Sequence, residues 1–251
     1  MTPVEVGRRP IILKRITSRL AAQDWNGIAI EFLIVTAGVL MGIQVSNWND
    51  SRIEKARVHQ QLSSLHTELQ GNLATIDRYQ RRIASQLGDI TEIGRTFERS
   101  ESSGGAIDGK LMNVFRISSL ILETSAYDEI NETGSLRHVP PDIRSAMTEW
   151  QARKGALQRA DQDALSYRIS AVDHLTAVLA FEPMVRTFAP SFKPADAAPV
   201  RNDPARLASD AKVRNFLAMR YAIETQKLQF AKELEGATKT LLGRLGRNGA
   251  A

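Results

Sequence analysis

The sequence contains no cysteine among its 251 residues. Disulfide bonds, thiolate metal sites and cysteine nucleophiles are therefore excluded, while the redox state of the compartment stays open. Phosphate-binding loops, the G-x-S-x-G motif and dinucleotide-binding motifs are also missing. Gly104 and Gly105 stand together but are followed by no Lys-Ser or Lys-Thr pair, so they predict only a turn. The usual signatures of a catalytic site are thus absent from the sequence.

A large excess of one charge is also lacking, since the formal net charge is only +5. Residues 1–27 carry +3 of it, with five basic and two acidic residues. The roughly two hundred residues after position 48 hold 28 basic and 25 acidic side chains, which is a mixed, solvated surface. We therefore expect no nucleic-acid partner.

One long apolar run interrupts this polar chain. Between Gly27 and Ser46 lie eighteen residues, of which only Glu31 is ionisable. Trp25 and Trp48 flank the run, and indole rings prefer the headgroup level of a membrane. At about 1.5 Å per residue, residues 25–48 cross a hydrocarbon core of about 30 Å. We predict a transmembrane helix over residues 25–48, with a buried core helix as the alternative.

The basic residues before this run predict its orientation. They are Arg8, Arg9, Lys14, Arg15 and Arg19. Positive flanks stay in the cytoplasm, so the chain is expected to be a single-pass protein of the cell inner membrane with a periplasmic C-terminal domain. No A-x-A-like cleavage site follows Val45, which favours an uncleaved signal anchor. Residues 8–23 are also amphipathic and suit an anionic membrane surface, although a charged flank that only sets topology fits equally well.

Several residues inside the run suggest that it pairs with another helix. Gly38 and Gly42 form a G-x-x-x-G motif, whose small side chains let two helix backbones approach closely. Glu31 is costly in a membrane and calls for a partner, water access or protonation, and Gln44 can bond across helices or face the headgroups. The predicted partners are the lipid bilayer and either a second copy of the chain or another membrane protein.

Two segments resemble a bacterial family of single-pass membrane proteins that is known only as a domain of unknown function. In Glu31–Asn49 the matching residues are Glu31, Gly38, Gln44, Asn47, Trp48 and Asn49. Ile30 and Ser46 depart from the family pattern, which has Gly and Asn there. In Ser125–Arg137 the resemblance is carried by Tyr127, Gly134 and Leu136. The resemblance implies no activity, because the family has none assigned.

Residues 49–98 show the pattern of a long amphipathic helix. Its apolar seam steps by three or four residues through Leu62, Leu65, Leu69, Leu73, Ile76, Tyr79, Ile83, Leu87, Ile90, Ile93 and Phe97. We expect this helix to continue directly from the membrane span. Strand alternation of useful length is absent, so the fold class is predicted to be all-α.

The rest of the chain predicts shorter helices and then two long ones. We expect a loop at 100–109, helices at 111–122 and 124–133, and a long helix that opens at Pro140-Pro141-Asp142. Its predicted stripe is Ile143, Met147, Trp150, Leu157, Leu165, Ile169, Val172, Leu175 and Leu179. A proline-rich loop over 182–204 precedes a helix capped by Asp203 and running to about Leu245.

The predicted architecture is therefore a membrane helix that runs into an antiparallel, extracytoplasmic helical bundle. The domains are a cytoplasmic basic segment at 1–24, the span at 25–48, the bundle at 49–246 and a disordered tail at 247–251.

No residue cluster in the sequence specifies chemistry. His59 and His66 lie seven residues apart, but two ligands do not define a zinc site, and His138 and His174 are isolated. Tyr127, Glu129 and Asn131 line either a groove or a packed turn. We expect no metal and no cofactor.

Three functions follow from these patterns, and a fourth is a minor alternative. The first is a membrane-anchored interaction or scaffold protein without catalysis, acting through its span and bundle. The second is an extracytoplasmic ligand sensor with a pocket near residues 125–134, which would signal through a partner. An enzyme ranks last. A pilin-like protein is a minor alternative. The span resembles a type IV pilin start, which has Gly and then an apolar run with Glu at the fifth position, but here Glu31 falls at the fourth position after Gly27. The sheet in which pilin heads end is also not predicted, because the chain lacks strand patterns.

Overall fold

The structure is a computed structural model that describes residues 25–99, 104–192, 201–247 and 249. All regular secondary structure in these ranges is helical, which confirms the all-α prediction. The elements are α1 (Trp25–Arg99), α2 (Gly104–Phe115), α3 (Ser125–Glu132), a 3-10 helix (Ser135–His138), α4 (Pro141–Leu175), α5 (Phe181–Arg186), α6 (Pro204–Ser209) and α7 (Ala211–Arg247). The predicted basic segment 1–24 lies outside the described residues, as does most of the predicted tail.

The chain divides into two compact units, one ending at Ala56 and the other beginning at Arg57. In the first unit the side chains of α1 from Ala29 onward are exposed, except that Ala37 and Glu54 are half-buried. Among the described residues, α1 is the one helix long and apolar enough to cross a membrane.

The second unit is built on the apolar seam of α1. Leu65, Leu69, Ile76 and Ile83 are fully buried, as the three-and-four spacing predicts. The seam also contains two residues that were not predicted, since Asn72 and Gln86 are buried. Their neighbours Leu73 and Leu87 are only half-buried, although Leu87 does pack against the apolar core. The steps 69, 72, 76, 79, 83, 86 and 90 continue the alternation of three and four, so these polar residues belong to the seam itself.

Helices α4 and α7 pack against each other and run in opposite chain directions. The indole Nε1 of Trp150 donates to Thr238 Oγ1 at 3.1 Å, inside the interface. Further along α4, Lys227 Nζ lies 3.2 Å from Asp161 Oδ1, and the ring of Tyr167 stacks on that of Phe216. Residue numbers rise along α4 while those of its contacts fall along α7.

Apolar side chains form two clusters in this unit. One joins α1, α3, α4 and α7 around Trp150, Ile130 and Leu234. The other lies around α2 and α5 and the adjoining turns of α1, α4, α6 and α7, where the Phe115 ring packs on Phe181 and stacks on Phe216. Burial of such large apolar side chains contributes about 1.5–3 kcal/mol each, so these clusters dominate the packing.

The predicted loop at 100–109 and the predicted helix at 111–122 are both wrong in part. Helix α2 already begins at Gly104 and buries Ile107, Leu111 and Val114 at helical spacing, while residues 100–103 lie outside the described residues. The helix ends at Phe115, and residues 117–124 have no regular structure. Buried side chains bind the backbone of this connector, and that tertiary pairing overrides its helical pattern.

The stripe predicted for α4 is confirmed as far as Leu157, is wrong at Leu165 and Ile169, and is confirmed again at Val172, Leu175 and Leu179. Leu165 and Ile169 are 40% and 60% exposed. Leu175 is buried at the end of α4, and Leu179 is buried beyond it. The buried face of α4 continues from Leu157 through Asp161 and Ala164, four and seven residues later, and Leu165 and Ile169 lie to one side of it.

The predicted loop at 182–204 and the helix after it also need correction. Phe181–Arg186 is helical, and residues 193–200 lie outside the described residues. Asp203 does cap α6, because its Oδ1 accepts from the Ala205 N–H at 3.1 Å. However, Asp210 ends that helix with an extended backbone and caps α7, accepting from Lys212 N at 2.7 Å. An aspartate within an apolar pattern thus starts a new helix.

Other predicted boundaries are confirmed. Helix α3 spans Ser125–Glu132, and Gly134 after it has φ 70°, a left-handed conformation that disfavours a Cβ. Helix α4 begins at Pro141, where the missing N–H of proline costs no helical hydrogen bond.

Candidate functional site

The apolar stretch of α1 is uncovered. Ten large apolar side chains between Ile30 and Val45 are between 52% and 72% exposed. Leaving each of them in water costs about 1.5–3 kcal/mol relative to burial, whereas one carboxylate at the centre of a membrane costs about 2.5–3.5 kcal/mol. Glu31 therefore does not cancel the preference of this stretch for an apolar environment.

The residues predicted to pair helices do not all share one face of α1. At 100° per residue, Gly38 and Gly42 lie two and three turns after Glu31, on the same face. Gln44 lies two residues beyond Gly42 and so points to the opposite side. A Cβ added at either glycine would meet nothing within 4 Å, which leaves a shallow, open face. Glu31, Gly38 and Gly42 are thus grouped, and Gln44 is separate.

The family-like residues fall into two sets. Asn47, Trp48 and Asn49 are exposed on α1, with Trp48 66% exposed. In the second unit, Tyr127 is half-buried and its ring lies 5.3 Å from that of Trp150. Leu136 packs against the cluster around Trp150, and Gly134 provides the left-handed turn between α3 and the 3-10 helix. The segment 125–137 therefore consists of α3, the turn at Gly134 and the 3-10 helix, and Tyr127 and Leu136 attach it to the apolar core.

Polar side chains of α1 bind the segment that follows α2. Asn72 accepts from the backbone N–H of Glu123 at 3.1 Å and donates to its carbonyl at 2.8 Å. Gln86 donates to the carbonyls of Asn113 and Arg116 at 2.8 and 2.6 Å. Buried backbone groups need such partners, so Asn72 and Gln86 fix the path of the irregular connector.

Two further residues of α1 hold helix α3. The carboxylate of Glu68 accepts from the Ala126 N–H at 2.7 Å and from the Ser125 hydroxyl at 3.2 Å. Thr124, the residue at the N-cap position, makes no capping bond of its own, so Glu68 takes over that task. Gln61 donates to Glu129 at 2.9 Å, near the other end of α3.

A buried charge cluster lies between α1, α4 and α7, and consists of Tyr79, Asp161, Arg220, Glu224 and Lys227. Asp161 accepts from the Tyr79 hydroxyl at 2.7 Å and from the Leu120 N–H at 2.9 Å. Lys227 donates to the Ser118 carbonyl at 2.9 Å and lies 3.3 Å from Glu224. Burial, followed by the Asp161 charge, raises the pKa of Tyr79, which therefore stays protonated as a donor.

In the charge cluster, the negative charges of Asp161 and Glu224 offset the positive charges of Arg220 and Lys227. Removing one partner of such a buried pair leaves an uncompensated charge and typically costs about 3–5 kcal/mol. Arg220 lies 2.7 Å from Glu224, but the contact lacks hydrogen-bond geometry. Burial lowers the pKa of Arg220, and the Glu224 carboxylate opposes this shift. The cluster anchors the connector through Ser118 and Leu120, a structural role.

The histidines are dispersed over the surface and chain. His59 contacts the Gly249 carbonyl at 2.8 Å, and His138 accepts from Arg137 at 2.8 Å. Within the described residues, no group of three or more His, Asp or Glu side chains is arranged to hold a metal ion. The basic residues Arg8, Arg9, Lys14, Arg15 and Arg19 lie outside the described residues.

Cavities of about 640, 360 and 220 Å³ lie along the contact between α4 and α7. The first, about 640 Å³, is lined by charged residues that include Glu149, Arg153 and Glu233. Arg153 is paired there with both carboxylates at 2.7 Å. The second, about 360 Å³, has a floor that includes Phe216 and Leu175.

Sequence reasoning missed the buried polar residues. The signal was present, because Asn72, Tyr79 and Gln86 recur every seven residues within the apolar seam. Arg220, Glu224 and Lys227 likewise repeat at four and three residues along α7, on its buried face. A polar residue at an apolar position of a repeat indicates buried backbone or charge nearby.

The chain was compared with protein families, curated proteins and solved structures. No family model, no curated protein and no solved structure matches it significantly. The resemblance described above therefore continues to depend on the residues of Glu31–Asn49 and Ser125–Arg137 alone.

Proposed function

We propose that the chain is a single-pass protein of the cell inner membrane, anchored by residues 25–48, that acts in interaction or scaffolding. In this proposal Arg8, Arg9, Lys14, Arg15 and Arg19 face the cytoplasmic leaflet. Residues 49–246 form an antiparallel helical bundle in the periplasm. No catalysis is assigned to the chain.

One observation supports the anchor above all. The ten apolar side chains between Ile30 and Val45 have no cover within the described residues. A soluble protein rarely leaves so many large apolar side chains contiguous and exposed. A membrane would bury them all.

Reporter fusions test the orientation. A fusion at Ala251 should show export, and a fusion near Ala21 should remain cytoplasmic. An exported enzyme that is active only in the periplasm gives the first readout, and a cytoplasmic fluorescent protein gives the second. An active cytoplasmic reporter at Ala251 would reject the orientation.

The interaction proposal names a second copy or another membrane protein as the partner. This partner would pack on the face of Glu31, Gly38 and Gly42, because the glycines let two helix backbones approach closely. Bulky side chains at Gly38 or Gly42 would separate the backbones. Gly38→Ile and Gly42→Ile should weaken association of the full chain in detergent-free membrane discs, whereas Ala37→Ile on another face should not. If all three variants associate like the wild type, this face makes no helix contact.

Glu31→Gln separates charge from hydrogen bonding, because the amide keeps the hydrogen bond and loses the charge. Unchanged association in this variant would show that the charge of Glu31 is not needed, whereas weakened association would assign the charge a role. The sensing alternative receives no support from its predicted groove, since Tyr127 packs on Trp150 and Glu129 binds Gln61.

A further inference from the structure

Three cavities follow one another along the same side of the α4–α7 pair. They are lined between Ser145 and Leu175 on α4 and between Lys212 and Arg244 on α7. From one cavity to the next, the numbers of the lining residues rise along α4 and fall along α7. The lining residues of α7 also fall within a sector of about 100° around that helix. The cavities therefore form one groove, here called the α4–α7 groove.

The middle of the α4–α7 groove presents apolar side chains that are incompletely covered. Ala156, Ile223 and Phe230 line the cavity there and are only half-buried. Met219 lies on the same stripe of α7, between Phe216 and Ile223, and is 49% exposed. A continuous apolar stripe of this kind is typical of a helix face that packs against further helices.

The charges along the α4–α7 groove nearly cancel. With histidine neutral, the ionisable residues that line it are Arg153, Arg159, Lys212 and Arg244 against Glu149, Asp163 and Glu233. Such a surface favours neither a strongly acidic nor a strongly basic partner. A twofold interface must be complementary to itself, because the same surface is used by both copies. A groove with balanced charges meets this requirement.

The α4–α7 groove is also large enough for a stable dimer. It extends over residues 145–175 of α4, which is about 45 Å at about 1.5 Å per residue. Two helices side by side present a face about 20 Å wide, so the groove offers about 900 Å². A standard protein interface needs about 800 Å² from each partner.

We propose that the α4–α7 groove is an interface between two copies of this chain. Around a twofold axis parallel to the groove, α4 of each copy packs against α7 of the other, and the four helices form an antiparallel bundle. The two chains then point in the same direction, as anchoring in one membrane requires. The proposal rests on the interaction role proposed above and adds a contact outside the span.

One ion pair makes this arrangement specific. Arg153 Nη1 and Glu233 Oε2 lie 2.7 Å apart within one chain, so the two residues are at the same level of the α4–α7 pair. In the dimer, each Arg153 therefore also meets Glu233 of the second copy, and the four side chains alternate in charge around the bundle. Opposite charges across an interface fix its register and exclude wrong partners.

Mixing two charge-reversed variants tests the interface. Sedimentation of the full chain in detergent measures dimerisation, with Gly38→Ile and Gly42→Ile in every chain so that pairing of the span is weakened. Arg153→Glu or Glu233→Arg alone brings like charges together and should weaken dimerisation at least about tenfold. An equal mixture of the two variants should dimerise nearly like the unreversed chain. Opposite charges then meet across the interface, although each chain keeps its own like-charged pair.

Arg81→Glu is the matched control, because Arg81 forms an exposed ion pair with Asp77 on α1 and should leave dimerisation unchanged. Circular dichroism checks that each variant keeps its helices. Unchanged dimerisation of both single variants, or a mixture that stays monomeric, would overturn the proposal.

The span and the groove are distinguished by the glycine variants. A monomeric chain that dimerises again when Gly38 and Gly42 are restored would assign association to the span alone, which rejects the groove and leaves the proposed function intact. A different membrane protein that co-purifies and is released by Arg153→Glu would be the occupant of the groove and would equally reject a second copy.

Discussion

The two parts of α1 show two ways in which a helix can be rich in apolar residues. Between Ile30 and Val45 the apolar side chains surround the helix and are exposed. Between Leu62 and Ile93 they form one seam that is buried, and every seventh residue from Asn72 to Gln86 is polar. A seam with polar insertions packs against protein backbone, whereas an uninterrupted apolar surface suits lipid.

The largest effect is expected where charge enters the exposed stretch. Val39→Arg combined with Leu40→Arg should abolish membrane association, because each arginine costs about 2.5–3.5 kcal/mol near the centre of a bilayer. Membrane fractionation after alkaline extraction measures the result. Ile169→Arg is the control, because this α4 residue is 60% exposed and should tolerate the change. Retention of the double variant in extracted membranes would show that the exposed stretch of α1 does not lie in the lipid, and would refute its distinction from the buried seam.

A smaller effect is expected in the buried charge cluster. Asp161→Ala leaves Lys227 and the Leu120 N–H with fewer partners and should reduce the free energy of unfolding by about 3–5 kcal/mol. Chemical denaturation of the full chain in detergent, followed by circular dichroism, measures this loss. Asp163→Ala changes an exposed residue of the same helix and should stay within about 0.5 kcal/mol of the wild type. Similar losses in both variants would count against the cluster as an anchor.

The polar insertions of the seam provide the next test. Asn72→Leu restores an apolar seam but removes both partners of the Glu123 backbone, at a cost of about 1–3 kcal/mol for each unsatisfied group. Gln70→Leu is the control at an exposed position of α1. Denaturation should show a clear loss for the first variant and almost none for the second. A stabilised Asn72→Leu chain would show that the connector does not need this residue.

The smallest effects concern two glycines. Gly134→Ala should destabilise the fold by about 1–2 kcal/mol, because φ 70° suits glycine and strains alanine. Gly71→Ala should instead stabilise it by about 0.5–1 kcal/mol, since this helical glycine is exposed and a Cβ meets nothing within 4 Å. Thermal unfolding midpoints give both signs. Stability changes of the same sign in both variants would mean that the backbone conformation of the glycine does not decide the effect.

Periodicity explains which parts of the fold were predictable from the sequence. The cap at Asp203, the helix at 124–133 and most of the seam of α1 depend on local patterns, and these predictions are confirmed. The end of α2 at Phe115 depends on Gln86, which lies about thirty residues away, and local patterns cannot show such a contact. The break at Asp210 was visible as a capping residue but lay within an apolar pattern that masked it.

The candidate sites also differ in how far local sequence patterns could predict them. Glu31, Gly38 and Gly42 were recognisable because their spacing fixes a face once a helix is assumed. The same geometry places Gln44 on the opposite side of α1, so its pairing role stays a separate prediction. The contacts of Asp161 with Tyr79 and Leu120 were not predictable, because they join parts of the chain that are far apart in sequence.

The most direct test of the membrane anchor uses the absence of cysteine, because each introduced cysteine is then a unique label. Single variants Ala21→Cys, Leu40→Cys and Ser166→Cys are treated in intact cells and after lysis with a maleimide that does not cross membranes. We expect Ser166→Cys to react in cells permeable only at the outer membrane, Ala21→Cys to react only after lysis, and Leu40→Cys to stay unreactive until detergent is added. Reaction of Leu40→Cys in intact membranes as readily as Ser166→Cys would contradict the anchor.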